Sequence, residues 1–178
     1  MIKATETKLK GCFILEPLIH KDERGHFFES HNHRDFCKAI GREINFVQDN
    51  QSQSKRGVLR GLHFQKGEHA QAKLISVIQG RIQDVVVDLR KDSPTYKKHL
   101  SLILDSERKH QLFIPRGFAH GFLTLSETAI VIYKCDGYFN KESEGGINYR
   151  DSSINIRWVA LDKLIISEKD KLLPNLNP

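Results

Sequence analysis

The stretch LISVIQGRIQDVVVDL, residues 74–89, contains two runs of β-branched and other apolar residues separated by Gln79-Gly80. Short apolar runs that end at turn residues are typical of β-strands. We therefore predict strands at residues 74–78 and 82–89. A turn should separate them, because glycine tolerates the backbone conformations that tight turns require.

Further apolar or alternating runs lie on both sides of this pair at similarly close spacing. They predict strands at residues 13–15, 45–47, 100–104, 111–114 and 129–133. Helical periodicity is confined to residues 34–40, which Gly41 would end, and to residues 167–172. Closely spaced strands without long helices between them indicate an all-β sandwich, jelly roll or barrel. We expect a single domain over residues 1–178 with short peripheral helices.

The composition is that of a globular protein and excludes some functional classes. Hydrophobic residues make up 39% and charged residues 28% of the chain, which is too balanced for a disordered protein. No apolar run approaches the roughly 18 residues of a membrane helix, and the Lys-rich N-terminus lacks the apolar centre of a signal peptide. These features predict a cytoplasmic protein without a membrane partner.

The net charge of +6 suggests an anionic partner. The basic residues are scattered, and no zinc-finger or helix-turn-helix pattern accompanies them, so nucleic acid is disfavoured. Cys12, Cys37 and Cys135 are odd in number and widely spaced, which argues against a disulfide framework and against a thiolate metal site. We expect buried, reduced thiols.

Two segments carry information beyond the strand pattern. The first contains RGLHFQ at residues 60–65, Lys73 and Gly80, and the second is PRGFAH at residues 115–120. Together they resemble the two motifs of the cupin superfamily, which implies a cupin-type jelly roll or β-barrel with the site inside. Metal-binding cupins place three His and a Glu in these motifs. Here two of those four positions are Gln65 and Lys73.

The residues that remain at these positions favour acid–base chemistry over metal binding. An ammonium cannot donate electrons to a metal ion and repels it, so we predict no metal. A neutral His, at His63 or His120, is a competent base near neutral pH. Lys73 offers positive charge where an oxyanion forms, although strand alternation leaves open whether it faces the interior or solvent. Packing or surface roles are expected for the other histidines: His20, His26, His31, His33, His69, His99 and His110.

A longer ordered set of motifs is similar to the dTDP-4-dehydrorhamnose 3,5-epimerase family. The motifs are DERG at 22–25, FFES at 27–30, FVQDN at 46–50, VLRGLHFQ at 58–65, IPRGFAHGF at 114–122 and YK at 133–134. The resemblance extends over roughly residues 2–174. It implies inversion at C3 and C5 of dTDP-4-keto-6-deoxyglucose, a step towards dTDP-L-rhamnose, without a metal or organic cofactor.

Epimerisation beside a ketone explains the residue types that the resemblance assigns. The proton is removable because the enolate spreads its charge onto the ketone oxygen, so the reaction needs a base, a proton donor on the opposite face and a nearby cation. By the resemblance, His63 is the base, Tyr133 the donor and Lys73 the cation. Asp170 would orient His63 and stabilise its protonated form. Substrate contacts are implied for Arg24, Glu29, Gln48, Asn50, Arg60, Lys73, His120, Phe139, Glu144 and Lys171.

Three positions depart from the family pattern. Ala72 replaces a Gly, Phe139 stands where a Tyr is usual, and Arg116 replaces an acidic residue and would add positive charge near the barrel mouth. The ring of Phe139 could still stack on thymine. None of the three removes a catalytic group.

Other functions remain open at this point. One is an epimerase acting at C3 alone or on a related nucleotide 4-keto sugar; the others are a metal-dependent cupin enzyme and a non-catalytic sugar-nucleotide binding module. The resemblance also implies a homodimer that exchanges an N-terminal strand, for which residues 12–16 are the candidate. Arg24 or Glu29 would then reach the partner's site.

Overall fold

The computed structural model describes residues 2–176, which contain thirteen strands, two short α-helices and one 3₁₀ helix at Gly67–His69. The strands are β1 (Lys3–Glu6), β2 (Phe13–Glu16), β3 (His20–Asp22), β4 (Gly25–Phe27), β5 (Gln48–Lys55), β6 (Leu59–Gln65), β7 (Lys73–Gln79), β8 (Arg81–Asp88), β9 (His99–Asp105), β10 (Gln111–Ile114), β11 (Phe118–Thr124), β12 (Thr128–Cys135) and β13 (Glu144–Gly146). The α-helices are α1 (His33–Ile40) and α2 (Glu168–Lys171). The all-β prediction is confirmed.

The strands form two large antiparallel sheets and a hairpin. The six-stranded sheet has the order β1-β2-β10-β7-β12-β5, the five-stranded sheet has the order β13-β6-β11-β8-β9, and β3 pairs with β4. Apolar residues of the two sheets, such as Ile75 and Val131 from one and Val86 and Phe122 from the other, pack into one core. The sheets therefore face each other as a sandwich of the cupin type.

The outer face of each sheet is also covered. Phe36 and Ile40 of α1 pack with Leu74 and Phe113 of the six-stranded sheet. Residues of the segment after β13 pack on the outer face of β8 and β11. Strands buried on both faces carry continuous apolar runs instead of alternation, which is why β8 was recognisable from its sequence.

One predicted strand is wrong and several strands were not predicted. Residues 45–47 lie outside any strand, since Phe46 packs its ring 5.3 Å from that of Phe36 on α1, and the strand begins at Gln48. The sequence of β5, QDNQSQSK, contains no apolar residue, so a search for hydrophobic periodicity could not find it. The other strands that the prediction missed are β1, β3, β4, β6, β11 and β13.

Two expectations about the thiols and the membrane can be compared with the fold. Cys12, Cys37 and Cys135 are buried and form no disulfide, as expected. Between residues 2 and 176, no helix has the length and apolar character needed to cross a bilayer. The cytoplasmic location stays a prediction.

Candidate active site

A cavity of ≈ 590 Å³ opens between the two sheets and is lined by all four predicted catalytic residues. Its lining comes from β6 and β11 on one side, β7 and β12 on the other, and α2 at the rim. The lining residues that were predicted are Arg60, His63, Lys73, His120, Tyr133 and Asp170. The fold thus brings residues 60 and 170 to one site although 110 positions separate them in the chain.

His63 and Asp170 form a hydrogen-bonded pair at this cavity. The Nε2 of His63 lies 2.7 Å from Oδ1 of Asp170, and the backbone N–H of Gly61 donates to Oδ2 at 3.0 Å. The side chain of Ser167 caps α2 by accepting from the N–H of Asp170. Asp170 is only 4% exposed. A carboxylate held at both oxygens fixes the ring so that Nε2 carries the proton and Nδ1 keeps the lone pair of a base.

Gly61 is required by this arrangement, and its substitution gives a testable result. Its φ is +108°, and an added Cβ would lie 2.7 Å from the carbonyl oxygen of His120 and 2.8 Å from Cα of Gly121. We expect Gly61→Ala to lower the free energy of unfolding by about 3 kcal/mol, because strain and a backbone clash add together. Urea denaturation measures this. Gly137→Ala is the matched control, since its Cβ would meet only Gln71 at 3.7 Å; equal losses in both variants would contradict the argument.

A second buried His–carboxylate pair faces the same cavity. The Nε2 of His120 lies 2.8 Å from Oδ2 of Asp84, which is fully buried and whose Oδ1 has no hydrogen-bond partner in the described structure. His120 and His63 are directly paired across β11 and β6. An under-satisfied carboxylate in a core costs stability and is characteristic of functional sites. The prediction missed Asp84, although an Asp at an inward position of the apolar run 82–89 was a signal.

Lys73 and Tyr133 lie on neighbouring strands of the opposite sheet. The Nζ of Lys73 is 6.0 Å from the centre of the Tyr133 ring. Burial lowers the pKa of Lys73, and the nearby acidic groups Cys135, Asp84 and Glu144 oppose this effect. Burial raises the pKa of Tyr133, and the positive charge of Arg60 opposes it. Tyr133 is therefore a protonated phenol at neutral pH. Lys73 faces the interior and not solvent, which answers the question that strand alternation left open.

A smaller cavity of ≈ 270 Å³ adjoins the first and shares His63, Lys73 and Tyr133 with it. Its lining contains four further predicted substrate contacts: Gln48, Asn50, Phe139 and Glu144. The loop that carries Phe139 is held by side-chain amides. Gln48 accepts from the N–H of Phe139 at 3.0 Å, and Gln71 donates to the carbonyl of Gly137 at 2.7 Å. Phe139 itself is 54% exposed, so its ring face is open to a planar ligand.

Comparison with known proteins shows which family has this arrangement of residues. A family model described as dTDP-4-dehydrorhamnose 3,5-epimerase matches residues 6–178. The chain belongs to that family. The dTDP-4-dehydrorhamnose 3,5-epimerase of Salmonella typhimurium is 48% identical over 177 residues, covering 99% of this chain and 97% of the relative.

Solved structures of family members agree with the fold. The dTDP-4-dehydrorhamnose 3,5-epimerase of Elizabethkingia anophelis has a TM-score of 0.94 and 51% identity, covering 98% of this chain and 96% of the other. The dTDP-6-deoxy-D-glucose-3,5-epimerase of Legionella pneumophila, in complex with dTDP-4-keto-L-rhamnose, has a TM-score of 0.95 and 42% identity, covering 98% and 93%. The chain is therefore an isomerase of the 3,5-epimerase type, which acts in dTDP-rhamnose biosynthesis, and its fold is cupin-like.

The two residues that replace cupin metal ligands have other contacts in this epimerase. The side-chain oxygen of Gln65 accepts from the N–H of Asn140 at 2.9 Å and so helps to hold the loop that carries Phe139. Lys73 faces the cavity, where a carboxylate would stand in a metal-binding cupin. The donor set at this site is thus unsuited to a cation.

Two departures from the family pattern lie away from the catalytic cavity. Arg116 pairs with Asp136 at 2.8 Å, and the other oxygen of that carboxylate accepts from the N–H of Ala72. Arg116 and Ala72 line a separate cavity of ≈ 470 Å³. The prediction that Arg116 adds positive charge at the barrel mouth is wrong, because Asp136 neutralises it and the side chain lies elsewhere.

Three predicted substrate contacts do not join the site within one chain. Arg24 is exposed in the β3–β4 hairpin and pairs with Asp22. Glu29 lines a different cavity of ≈ 220 Å³. Lys171 pairs with Glu168 outside the cavity, whereas Lys169, two residues earlier, lines the catalytic cavity and pairs with Glu144. For Lys171 the register was misjudged: on a helix, a shift of two positions moves a side chain to another face.

Proposed function

We propose that this chain inverts C3 and C5 of dTDP-4-dehydro-6-deoxy-D-glucose by removing a proton with His63 and returning one from Tyr133. The observation that carries the assignment is the placement of these groups. His63 lies on β6 of the five-stranded sheet and Tyr133 on β12 of the six-stranded sheet, and both line the cavity between them. A sugar held in this cavity has the base on one face and the donor on the other, as inversion requires.

The first step is deprotonation next to the C4 ketone. Asp170 accepts the hydrogen bond from Nε2 of His63, so Nδ1 is the atom that takes the proton, and the carboxylate stabilises the imidazolium that results. Negative charge moves to the C4 oxygen of the enolate. The ammonium of Lys73 stabilises that oxygen. His120, held at Nε2 by Asp84, lines the same cavity.

The second step is reprotonation from the opposite face. An enolate carbon is far more basic than a phenolate, so Tyr133 can protonate it although burial raises the pKa of its hydroxyl. His63 then releases its proton to solvent and the phenolate of Tyr133 takes one from solvent. The cycle repeats at the second carbon flanking the ketone, and Lys73 stabilises the same oxygen. Arg60 at the rim provides a guanidinium for the diphosphate, and Phe139 provides a ring for thymine.

No metal or organic cofactor enters this proposal. The two histidines of the cavity each use Nε2 for a carboxylate, and Lys73 occupies the position of a third ligand. We expect turnover to survive prolonged treatment with chelators. Loss of activity on chelation, restored by one added metal, would favour a metal-dependent cupin enzyme instead.

The reaction is tested by incubating the protein with dTDP-4-dehydro-6-deoxy-D-glucose in deuterated water. We expect NMR of the product to show deuterium at both C3 and C5. Deuterium at C3 alone would assign the chain as a C3 epimerase. Binding of the substrate without any incorporation would favour a non-catalytic binding module.

Tyr133→Phe separates proton removal from inversion. His63 can still deprotonate the substrate in this variant, but the only proton returned comes from the same face. We expect deuterium exchange to continue with retained configuration while formation of the inverted product falls by about 10²-fold or more. Tyr138→Phe is the control, because Tyr138 is 71% exposed and does not line the cavity. Unchanged product formation by Tyr133→Phe would remove it from the donor role.

We further propose that the active unit is a homodimer in which Arg24 of one subunit completes the site of its partner. Arg24 is exposed in the β3–β4 hairpin, which also carries Phe27, a residue that is 70% exposed. Such an exposed aromatic supports burial against a second subunit. The segment 12–16 pairs with β1 and β10 of its own chain, so strand exchange stays a prediction.

Mixing two inactive variants tests the shared site. Arg24→Ala and His63→Ala each weaken the sites of a homodimer, but a mixed dimer contains one site with both residues intact. We expect activity to return when the two proteins are unfolded and refolded together. As a control, His63→Ala is refolded together with Lys21→Ala, a hairpin variant that keeps both Arg24 and His63. The activity of that mixture is the recovery expected when half of the chains carry an intact His63. No recovery in the mixture, with dimers present by light scattering, would place Arg24 outside the partner's site.

A further inference from the structure

A second group of ligand-type side chains lies on α1 and the loop after it, outside the catalytic cavity. It consists of His33, Cys37 and Glu43, whose ligand atoms all lie within 4.8 Å of one another. Within residues 2–176 no other trio of His, Cys, Asp or Glu meets this spacing. None of the three lines the catalytic cavity, and the proposed epimerisation uses none of them.

The end of α1 assembles this group. His33 and Cys37 are four residues apart on the helix and therefore share a face. Gly41 ends the helix with a φ of +70°, and the N–H of Arg42 donates back to the carbonyl of Cys37 at 3.2 Å. The chain reverses there. Glu43 is thereby returned to the first turn of the helix, where its Oε1 lies 2.6 Å from Nε2 of His33.

The separations of these atoms are close to those of a zinc site. Zinc bonds of about 2.0 Å to N and O and about 2.3 Å to S, at tetrahedral angles, require about 3.3 Å between N and O and about 3.5 Å between N and S. The observed distances are 2.6 Å from Nε2 of His33 to Oε1 of Glu43 and 4.0 Å from Nε2 to Sγ of Cys37. The Glu43 side chain is 76% exposed and His33 49%, so both can move by the roughly 0.5 to 0.7 Å that these two distances require.

The surroundings of Cys37 suit a thiolate ligand. The backbone N–H of Ile44 donates to its Sγ at 3.5 Å, and such N–H groups stabilise the charge of a metal-bound thiolate. In the metal-free protein the thiol S–H can donate a hydrogen bond to the carbonyl oxygen of Ile44, 3.8 Å away. Metal binding releases that proton to solvent. The thiolate and the Glu43 carboxylate then balance the two charges of the ion.

We propose that His33, Cys37 and Glu43 bind one Zn²⁺, with water at the fourth position. The ion clamps the loop after α1 onto the helix, next to Phe36, Cys37 and Ile40, which pack on the six-stranded sheet. Because these ligands converge only in the folded chain, zinc binding stabilises the fold. The wide spacing of the three cysteines concealed the site, since only one of them contributes.

Metal titration of chelator-treated protein tests the proposal. Zinc is titrated in competition with a chromophoric chelator, and Co²⁺ is added separately because a cobalt–thiolate bond gives a charge-transfer band in the near ultraviolet. We expect one ion per chain, the cobalt band, and a rise in Tm with Zn²⁺. His33→Gln, Cys37→Ser and Glu43→Gln should each weaken binding at least about tenfold, and Cys37→Ser should abolish the cobalt band.

Matched controls distinguish this site from others on the chain. Cys12→Ser and His26→Gln remove a thiol and an imidazole that belong to no such group and should leave zinc affinity and the cobalt band unchanged. If Cys37→Ser fails to fold, Glu43→Gln still tests the site, because the Glu43 side chain is exposed and its substitution should leave the fold intact. Absence of stoichiometric binding by the wild type, or equal affinity in wild type and Glu43→Gln, would overturn the proposal. Epimerase turnover is measured in parallel, and its presence or absence bears only on the catalytic assignment.

Discussion

We expect His63→Asn to lower turnover of dTDP-4-dehydro-6-deoxy-D-glucose by about 10³-fold, because general base catalysis typically accelerates a reaction by about 10² to 10⁴-fold. Asn fills part of the same space and can still donate to Asp170, so the buried carboxylate keeps a partner. It has no lone pair that is basic near neutral pH. Affinity for dTDP should change little, since His63 contacts the sugar and not the nucleotide in the proposed mode of binding.

Steady-state rates and dTDP titration by calorimetry measure the two quantities separately. His110→Asn is the matched control, because His110 lies outside the catalytic cavity. A His63→Asn enzyme with more than a tenth of wild-type turnover would exclude His63 as the base. A parallel loss of dTDP affinity would indicate a collapsed site instead of a missing base.

Lys73→Met should lower turnover by about 10² to 10³-fold, the range found when a group that stabilises an oxyanion is removed. Met has a similar length and no charge, so it keeps the packing and removes only the cation. Burial lowers the pKa of Lys73, which means that the fold disfavours its charged form. We therefore expect the free energy of unfolding of Lys73→Met to be equal to or higher than that of the wild type.

Lower turnover together with unchanged or higher stability would show that Lys73 serves catalysis and not the fold. Turnover and urea denaturation are measured on the same preparations, with Lys66→Met as the control, since Lys66 does not line the catalytic cavity. A Lys73→Met protein that retains its turnover would remove the cation from the mechanism. A large loss of stability would show that the ammonium is held by contacts that favour its charge.

The pKa of Lys73 also predicts the alkaline limit of activity. Below its pKa the side chain is charged and stabilises the enolate; above it, the side chain is neutral and the stabilisation is lost. Because burial lowers this pKa, turnover should decline at a pH below the usual range of lysine. In Lys73→Arg, whose guanidinium stays charged, any residual activity should persist to higher pH. An unchanged alkaline limit in that variant would assign it to another group.

Sequence motifs predicted the catalytic group more completely than its supporting contacts. His63 and His120 were recognisable because they stand at fixed positions in two short motifs, and Lys73 because it stands where a carboxylate was expected. Asp84 was missed: a lone acidic residue in an apolar strand has no partner in the sequence, and His120 is 36 positions away. Lys169 was missed because the last helix is one turn long and its register decides which Lys turns inward.

The strand that lines the smaller cavity illustrates a different limit. β5 consists of polar residues, of which Gln48 and Asn50 face the cavity and Ser52 the larger one beside it. A strand is recognised in a sequence by the apolar face that it buries. Where a sheet buries a ligand cavity instead of a core, the inward residues are polar and that signal is lost.

The amino-acid sequence by itself determined the all-β class, the two motif segments and the family, because these depend on local patterns and on the order of short motifs. The family resemblance also implied that Asp170 meets His63, whereas only the tertiary structure decided that Asp84 meets His120 and that Glu43 returns to His33. Each of these contacts is made by chain reversal or sheet pairing between distant positions. The energies that create them come from burial of the two sheets against each other, which no local pattern records.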